Sequence, residues 1–242
     1  MSLWNTIIQN PLYNGLVGIV SVVPFHDIGT AVIILTILVR LVLFPLSKKS
    51  IQSQIKMRAI QPELDRIKKE FPDKKEQAAK QFELYKKYGI NPFSGCLPLL
   101  IQLPIIIGLY NVFRHGIPSE TNPLYSFVSM PETINMNFLG VLPLDEKSIA
   151  IAVLVAISQY FQAKIMPAPA TTGGDEASFQ VQMAKSMRIQ MVYVLPLVMG
   201  FFAYQISAAI GLYLLVTNLF TIGQELYVRK RMGNFVLTPK NQ

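Results

Sequence analysis

Apolar runs alternate with sharply polar ones along this chain, and the run lengths decide its class. Ile28–Leu46, IGTAVIILTILVRLVLFPL, is nearly unbroken and long enough to cross a bilayer as one helix. Pro92–Phe113, Ser148–Ile165, Met191–Ser207 and Ala208–Tyr227 repeat the pattern. Together they predict an all-α polytopic membrane protein with five transmembrane helices. Leu12–Val23 is also apolar, but at 12 residues it is too short to span. Gly15 and Gly18 interrupt it and Pro24 closes it. Residues 1–27 therefore read as a short helix at the outer face that turns through Pro24–Gly29 into the first span. The competing reading, a sixth span from Leu12, needs a very tight hairpin into Ile28. Trp4 and Tyr13 suit a headgroup depth.

After Leu46 the pattern changes. Ile51, Ile55, Ile60, Leu64, Ile67 and Phe71 recur mostly at three or four residues, an amphipathic helix. Pro62 kinks or restarts it. A turn at Phe71–Glu76 leads to a second stripe through Ala78, Phe82 and Tyr85, which Gly89 and Asn91-Pro92 end. Residues 47–91 are thus expected to form two antiparallel helices outside the membrane. The two remaining loops are 114–147, rich in Pro, Asn and Ser, and 166–190, where Pro167, Pro169 and TTGGDE predict mobility. A tail, 228–242, follows the fifth span.

Charge fixes the orientation. Only 15% of the residues are charged, against about 25% in soluble domains, and the net charge of +8 is unevenly spread. One side of the expected membrane takes 19 basic residues: 12 in 47–91, 3 in Lys164–Gln190 and 4 in the tail. The other side takes two, Arg114 and Lys147. Basic loops stay in the cytoplasm, so the topology is N-out/C-in and the hairpin is cytoplasmic. Met1–Asp27 holds no Lys or Arg, so no secretory leader is expected. The hairpin lysines read as a solvated face resting on anionic lipid or as a recruiting surface.

Little of the sequence suggests catalysis. His26 and His115 lie far apart, and there is no phosphate loop, nucleophile elbow or HExxH. No metal, cofactor or enzymatic activity is expected. The single cysteine, Cys96, excludes an internal disulfide and reads as a reduced packing thiol. Arg40 is different. It lies about 9 Å inside the end of the first run, at ~1.5 Å rise per residue. A charge at the bilayer centre costs about 2.5–3.5 kcal/mol on insertion scales. Either Arg40 faces a wet cavity that attracts anionic or polar groups, or its long side chain reaches back to the headgroups. Gln102, in a second span that also holds Pro98, Pro104, Gly95 and Gly108, either joins helices or lines a polar cavity. Ser158, Gln159 and Gln162 group near the end of the third span.

Several stretches resemble the YidC-type membrane protein insertases of bacteria and their organelle relatives, in the short form without a large periplasmic domain. Val39–Ser50 resembles the arginine-bearing end of that family's first span. Met57–Phe71 resembles the start of its cytoplasmic hairpin. Tyr88–Tyr110, YGINPFSGCLPLLIQLPIIIGLY, is similar to its most diagnostic segment, and Leu212–Glu225 to its last span. The family often has Pro-Ser-Gly or Pro-Ala-Gly where this chain reads Ser207-Ala208-Ala209, and an aromatic where it has Leu214, beside Tyr213.

The resemblance implies a groove open to cytoplasm and lipid and closed to the outside. Its polar surface would come from Arg40, Gln102, Gln159 and Gln162. Nascent membrane proteins would pass a polar tail along the groove into the cytoplasmic membrane of a bacterium, without nucleotide hydrolysis. Expected partners are those substrates, the ribosome transiently, the Sec translocon and membrane lipids. Three alternatives belong to other classes. An anion channel with Arg40 as selectivity charge lacks an inverted repeat. A membrane-bound enzyme lacks intramembrane carboxylates apart from Glu225. A passive assembly factor would not insert substrates alone.

Overall fold

The computed structural model describes residues 3–91, 94, 97–117, 123–166 and 186–232. The TTGGDE segment, Cys96 and the last ten residues of the tail lie outside these. In chain order the helices are α1 (Asn10–Val22), α2 (Ile28–Val42), α3 (Phe44–Ala59), α4 (Gln61–Glu70), α5 (Lys74–Tyr88), α6 (Leu97–His115) and α7 (Ile149–Ile165). Then come α8 (Ser186–Gln205) and α9 (Ala208–Met232). Two short strands, β1 (Asn137–Phe138) and β2 (Leu142–Pro143), lie between α6 and α7.

Among the described residues, α8 and α9 are each long and apolar enough to cross a membrane. The α2–α3 pair makes a third candidate if read as one broken span, and α7 is a shorter apolar helix. The helix breaks inside the expected first span of 28–46. α2 stops at Val42 and α3 begins at Phe44, with Leu43 bonding back to Val39 O at 3.0 Å. Pro45 is the physical reason. It has no N–H to give and its ring crowds the carbonyl four residues back, so it suits the first turn of a new helix. Arg40 therefore lies in the last turn of α2, not deep in a longer helix.

The chain divides into two compact units. The first comprises Met1–Leu43, Leu99–Gln159 and Pro196–Thr221. Its core gathers Tyr13, Leu16, Val17 and Val20 of α1, Ile28 and Val32 of α2, Leu109 and Val112 of α6, Val155 of α7 and Ile210 and Tyr213 of α9. The short helix expected before the first span is present, with its apolar face buried in this core. A π-helical turn, Asn5–Gln9, precedes it.

The loop before α7 is pinned rather than loose. Asp27 is buried; its Oδ1 accepts from Thr30 N at 2.8 Å, capping α2, and its Oδ2 accepts from Leu139 N at 2.8 Å. Ile28 N donates to Asn135 O and Asn135 N to His26 O. The β1–β2 hairpin turns through Leu139 and Gly140, both at positive φ. Phe138 lies over Gly29, where an added Cβ would fall 2.3 Å from its ring. The carbonyls of Leu144 and Glu146 accept from Ala209 N and Ala208 N, satisfying the free donors at the start of α9. Asn14 holds the same loop from α1, donating to Pro123 O and accepting from Tyr125 N.

The second unit comprises Phe44–Pro98, Tyr160–Leu195 and Ile222–Gln242. Here α4 and α5 pair around Ile60, Leu64, Leu84 and Ile90. Pro62 sits at the start of α4, Asp73 caps α5 through Lys75 N, and Gly89 closes α5 at φ 59° with Ile90 N bonded to Tyr85 O. The expected stripe through Phe82 is displaced: Leu84 is buried and Phe82 is exposed. α3 is tied to the start of the next segment by Ser50 Oγ donating to Ser94 O at 2.5 Å and Ser94 Oγ donating to Ser53 Oγ at 2.6 Å.

Candidate functional site

Three polar side chains from three helices of the first unit meet in one chain of hydrogen bonds. Arg40 of α2 donates through its guanidinium to Gln102 Oε1 at 2.5 Å. Gln102 of α6 donates through Nε2 to the Tyr213 hydroxyl of α9 at 2.6 Å. The amide uses its acceptor for the cation and its donor for the phenol, so one side chain serves both neighbours. Tyr213 is buried, while Arg40 and Gln102 are half-buried. No acidic side chain pairs with Arg40 among the described residues. Its partner here is a neutral amide.

Helix spacing explains the convergence. On α2, Ala31, Val32, Leu35 and Thr36 are buried, whereas Leu38, Leu41 and Val42 are exposed. Arg40 continues the buried stripe one turn after Thr36. On α9, Tyr213 and Thr217 are four residues apart and share a face. Asn218 is next to Thr217 and equally buried. Asn218 Nδ2 donates to Ser158 Oγ of α7 at 3.0 Å, and Ser158 Oγ donates to Val155 O at 2.9 Å.

Of the four residues expected to line the site, the structure brings Arg40 and Gln102 together. Gln159 is half-buried in the same unit, and its side chain makes no hydrogen bond among the described residues. Gln162 belongs to the second unit, where its Oε1 is buried without a hydrogen-bond partner among the described residues. Tyr213, Ser158 and Asn218 complete the polar contacts; Ser158 stood out in the sequence beside Gln159 and Gln162, whereas Asn218 did not, nor did Tyr213 as a member of this site. The sequence signal is partial: Tyr213 and Thr217 share a face of α9 by their spacing, but the spacing does not say which neighbour that face meets.

The second unit has its own buried polar group. Glu225 Oε1 accepts from Arg229 Nε at 2.8 Å, and the Arg229 guanidinium also donates to Ile165 O at the end of α7. This joins α7 to α9 through one arginine. No group of three or more metal-ligating side chains occurs among the described residues.

Basic residues sit over tyrosine rings at several helix ends. Arg114 lies 6.0 Å from the Tyr110 centroid and Lys147 lies 5.6 Å from Tyr204; Lys164 lies 5.5 Å from Tyr160 and Arg231 5.6 Å from Tyr227. Such rings suit the membrane–water boundary.

The family model described as 60Kd inner membrane protein matches residues 20–234. A membrane protein insertase YidC from Clostridium tetani is 33% identical over 208 residues, covering 86% of this chain and 84% of its own length. One from Oceanobacillus iheyensis is 31% identical, covering 95% and 85%. One from Bradyrhizobium diazoefficiens is 30% identical over 95% of this chain but only 37% of its own length. A crystal structure of an active YidC insertase with its first transmembrane domain resolved is 26% identical with a TM-score of 0.52, covering 81% of this chain and 40% of that one. The chain thus spans well under half of the longer relatives and most of the shorter ones.

Proposed function

Because this chain belongs to the 60Kd inner membrane protein family, whose matched relatives are named YidC insertases, we propose that it inserts nascent membrane proteins into the cytoplasmic membrane. The relatives carry the name of an insertase and not of an enzyme. Five spans would be α2 with the start of α3, α6, α7, α8 and α9, N-out and C-in. On this reading α4–α5 is a cytoplasmic hairpin. Four of the tyrosine–cation pairs support this, since they fall where a helix end meets an expected membrane boundary.

The observation that carries the mechanism is the Arg40–Gln102 hydrogen bond, a cation held by a neutral partner. Burying an unpaired polar group in hydrocarbon costs several kcal/mol, so a polar tail needs a prepared path. A groove lined by Arg40, Gln102 and Gln159 would offer that path part-way through the bilayer. Arg40 would attract acidic or carbonyl-rich tails, because among the described residues its charge is paired with no carboxylate. The apolar span of the substrate would then leave sideways into lipid, driven by its own partition energy. No nucleotide site is assigned, and no bond is made. The ribosome, the Sec translocon and lipids are proposed as partners on the same footing.

The test uses purified protein as the sole protein in proteoliposomes. A single-span substrate with an acidic translocated tail is translated, and tail protection from protease is scored for wild type and Arg40→Ala. Protection by wild type and loss in Arg40→Ala is expected. Protection by both keeps the insertase and removes the charge from its mechanism. Protection no better than empty liposomes overturns the proposal.

A further inference from the structure

Within the first unit, α7 and α8 do not close on each other along their whole length. Gly200 of α8 meets Ala156 and Ala152 of α7 so closely that an added Cβ would fall 2.9 Å from Ala156 Cβ and 3.1 Å from Ala152 O. Small residues permit such an approach. Beside that contact the two helices leave a side-open crevice of 420 Å³, flanked by Ile149, Val153, Leu197 and Phe201 and by Tyr204. The volume falls in the ~300–1,000 Å³ range of small-molecule sites. All four aliphatic and aromatic flanks are at least half exposed: Ile149 68%, Val153 50%, Leu197 69% and Phe201 64%.

One cation stands at this crevice. Lys147 Nζ lies 5.6 Å from the centroid of Tyr204, which is itself a wall residue, and donates to Gln205 Oε1 at 3.0 Å. Lys147 is exposed, so it has donors left for a further acceptor. A slot for hydrocarbon with an ammonium at its rim matches a chain carrying a phosphate. The two residues before Lys147, Asp145 and Glu146, are exposed carboxylates. They disfavour a purely anionic headgroup and suit one that also carries an ammonium.

We propose that the crevice between α7 and α8 is a binding site for one zwitterionic aminophospholipid. An acyl chain lies along Val153, Leu197 and Phe201, the phosphate meets Lys147, and the headgroup amine faces Asp145 and Glu146. The site is separate from the Arg40 hydrogen-bond chain and holds whether or not that chain guides substrates. Its residence would keep α7 and α8 apart on this side while Gly200 keeps them in contact beside it.

The experiment reconstitutes the full chain in bilayers doped with phosphatidylethanolamine carrying a diazirine on one acyl chain, or with diacylglycerol carrying the same chain. Adducts are mapped by peptide mass spectrometry. The expected result is labelling concentrated on residues 149–156 and 197–204 and stronger from the phospholipid. Lys147→Ala should lower the phospholipid yield about fivefold, the factor corresponding to roughly 1 kcal/mol per surface lysine, and leave the diacylglycerol yield unchanged. Val153→Trp, which fills the slot from its exposed rim and leaves Gly200 untouched, should remove crevice labelling by both. Labelling spread evenly over the exposed apolar surface overturns the site. Equal yields from the two probes, or no change in Lys147→Ala, overturn the headgroup contact. A preference for the phosphatidylglycerol analogue overturns the zwitterionic assignment, and displacement of the lipid by a transmembrane peptide makes the crevice a helix-docking surface instead.

Discussion

Gln102 holds Arg40 through its carbonyl oxygen while its amide nitrogen holds Tyr213. This bidentate role separates stability from function. Gln102→Leu leaves a guanidinium and a phenol without their partner, at about 1–3 kcal/mol for each group left unsatisfied. Gln102→Glu keeps an acceptor for Arg40 but neutralises its charge. Thermal unfolding in detergent should therefore rank Gln102→Leu below Gln102→Glu. Insertion of an acidic-tailed substrate should rank them the other way. The same order in both assays would show that the amide matters only for packing.

The Glu225–Arg229 pair should behave as a buried ion pair with a capping duty. The Glu225 side chain is 4% exposed and that of Arg229 is 33% exposed. Removing one partner of a fully buried pair costs about 3–5 kcal/mol. With Arg229 a third exposed, Arg229→Met should cost about 2–3 kcal/mol, towards or below the low end of that range. The double variant Glu225→Gln/Arg229→Met should recover part of the loss, because no carboxylate is left unpaired. A double-mutant cycle on unfolding free energies checks this. A double variant as stable as Arg229→Met alone would show that the cap on Ile165 O is the whole effect.

In the hairpin, Tyr88 donates its hydroxyl proton to Glu63 Oε1 at 2.6 Å. The Glu63 carboxylate holds that proton, with burial adding to it, and raises the Tyr88 pKa above the ordinary tyrosine value. A raised folded-state pKa means a contribution present in full below the unfolded value of about 10. It is lost as pH rises through the folded value. The contribution of this hydrogen bond to hairpin stability should therefore be lost only in that alkaline window. Titration of ring-labelled tyrosine by NMR, with Tyr88 assigned by its loss in Tyr88→Phe, should show Glu63→Gln bringing Tyr88 back down. An unchanged titration in Glu63→Gln would rule out the carboxylate as the cause.

Helix positions were legible where apolar periodicity met a strong stop signal. Pro62, Asp73 and Gly89 mark the α4 and α5 boundaries because each acts through its own backbone or cap. Pro45 is the same kind of signal, but it lies inside an apolar run that reads as one span, so the break at Leu43 was hidden. Phe82 against Leu84 shows the limit of periodicity: both fit a helical stripe, and only the partner helix decides which is buried. The loop between α6 and α7 gave no pattern because Asp27, Asn14 and the α9 amides organise it, over more than a hundred residues of sequence in the first two cases. Arg40 and Gln102 were visible as polar residues in apolar runs. Tyr213 as their third member was not, since its hydroxyl could have faced any neighbour. On α7, Ser158 faces Asn218 while the adjacent Gln159 points about 100° away around the helix, a choice that sequence leaves open.

α7 has 17 residues, and at ~1.5 Å rise per residue it is about 25 Å long. Taken as the third span proposed above, it falls short of a typical hydrocarbon core of ~30 Å. A bilayer meets such a mismatch by thinning, at a modest cost for each ångström. The lipid beside α7 should therefore be compressed, and a translocating tail would cross less hydrocarbon there than elsewhere. Reconstitution in lipids of increasing acyl length would reveal it: insertion should weaken as the membrane thickens, and an unchanged yield would mean that the protein leaves the bilayer flat.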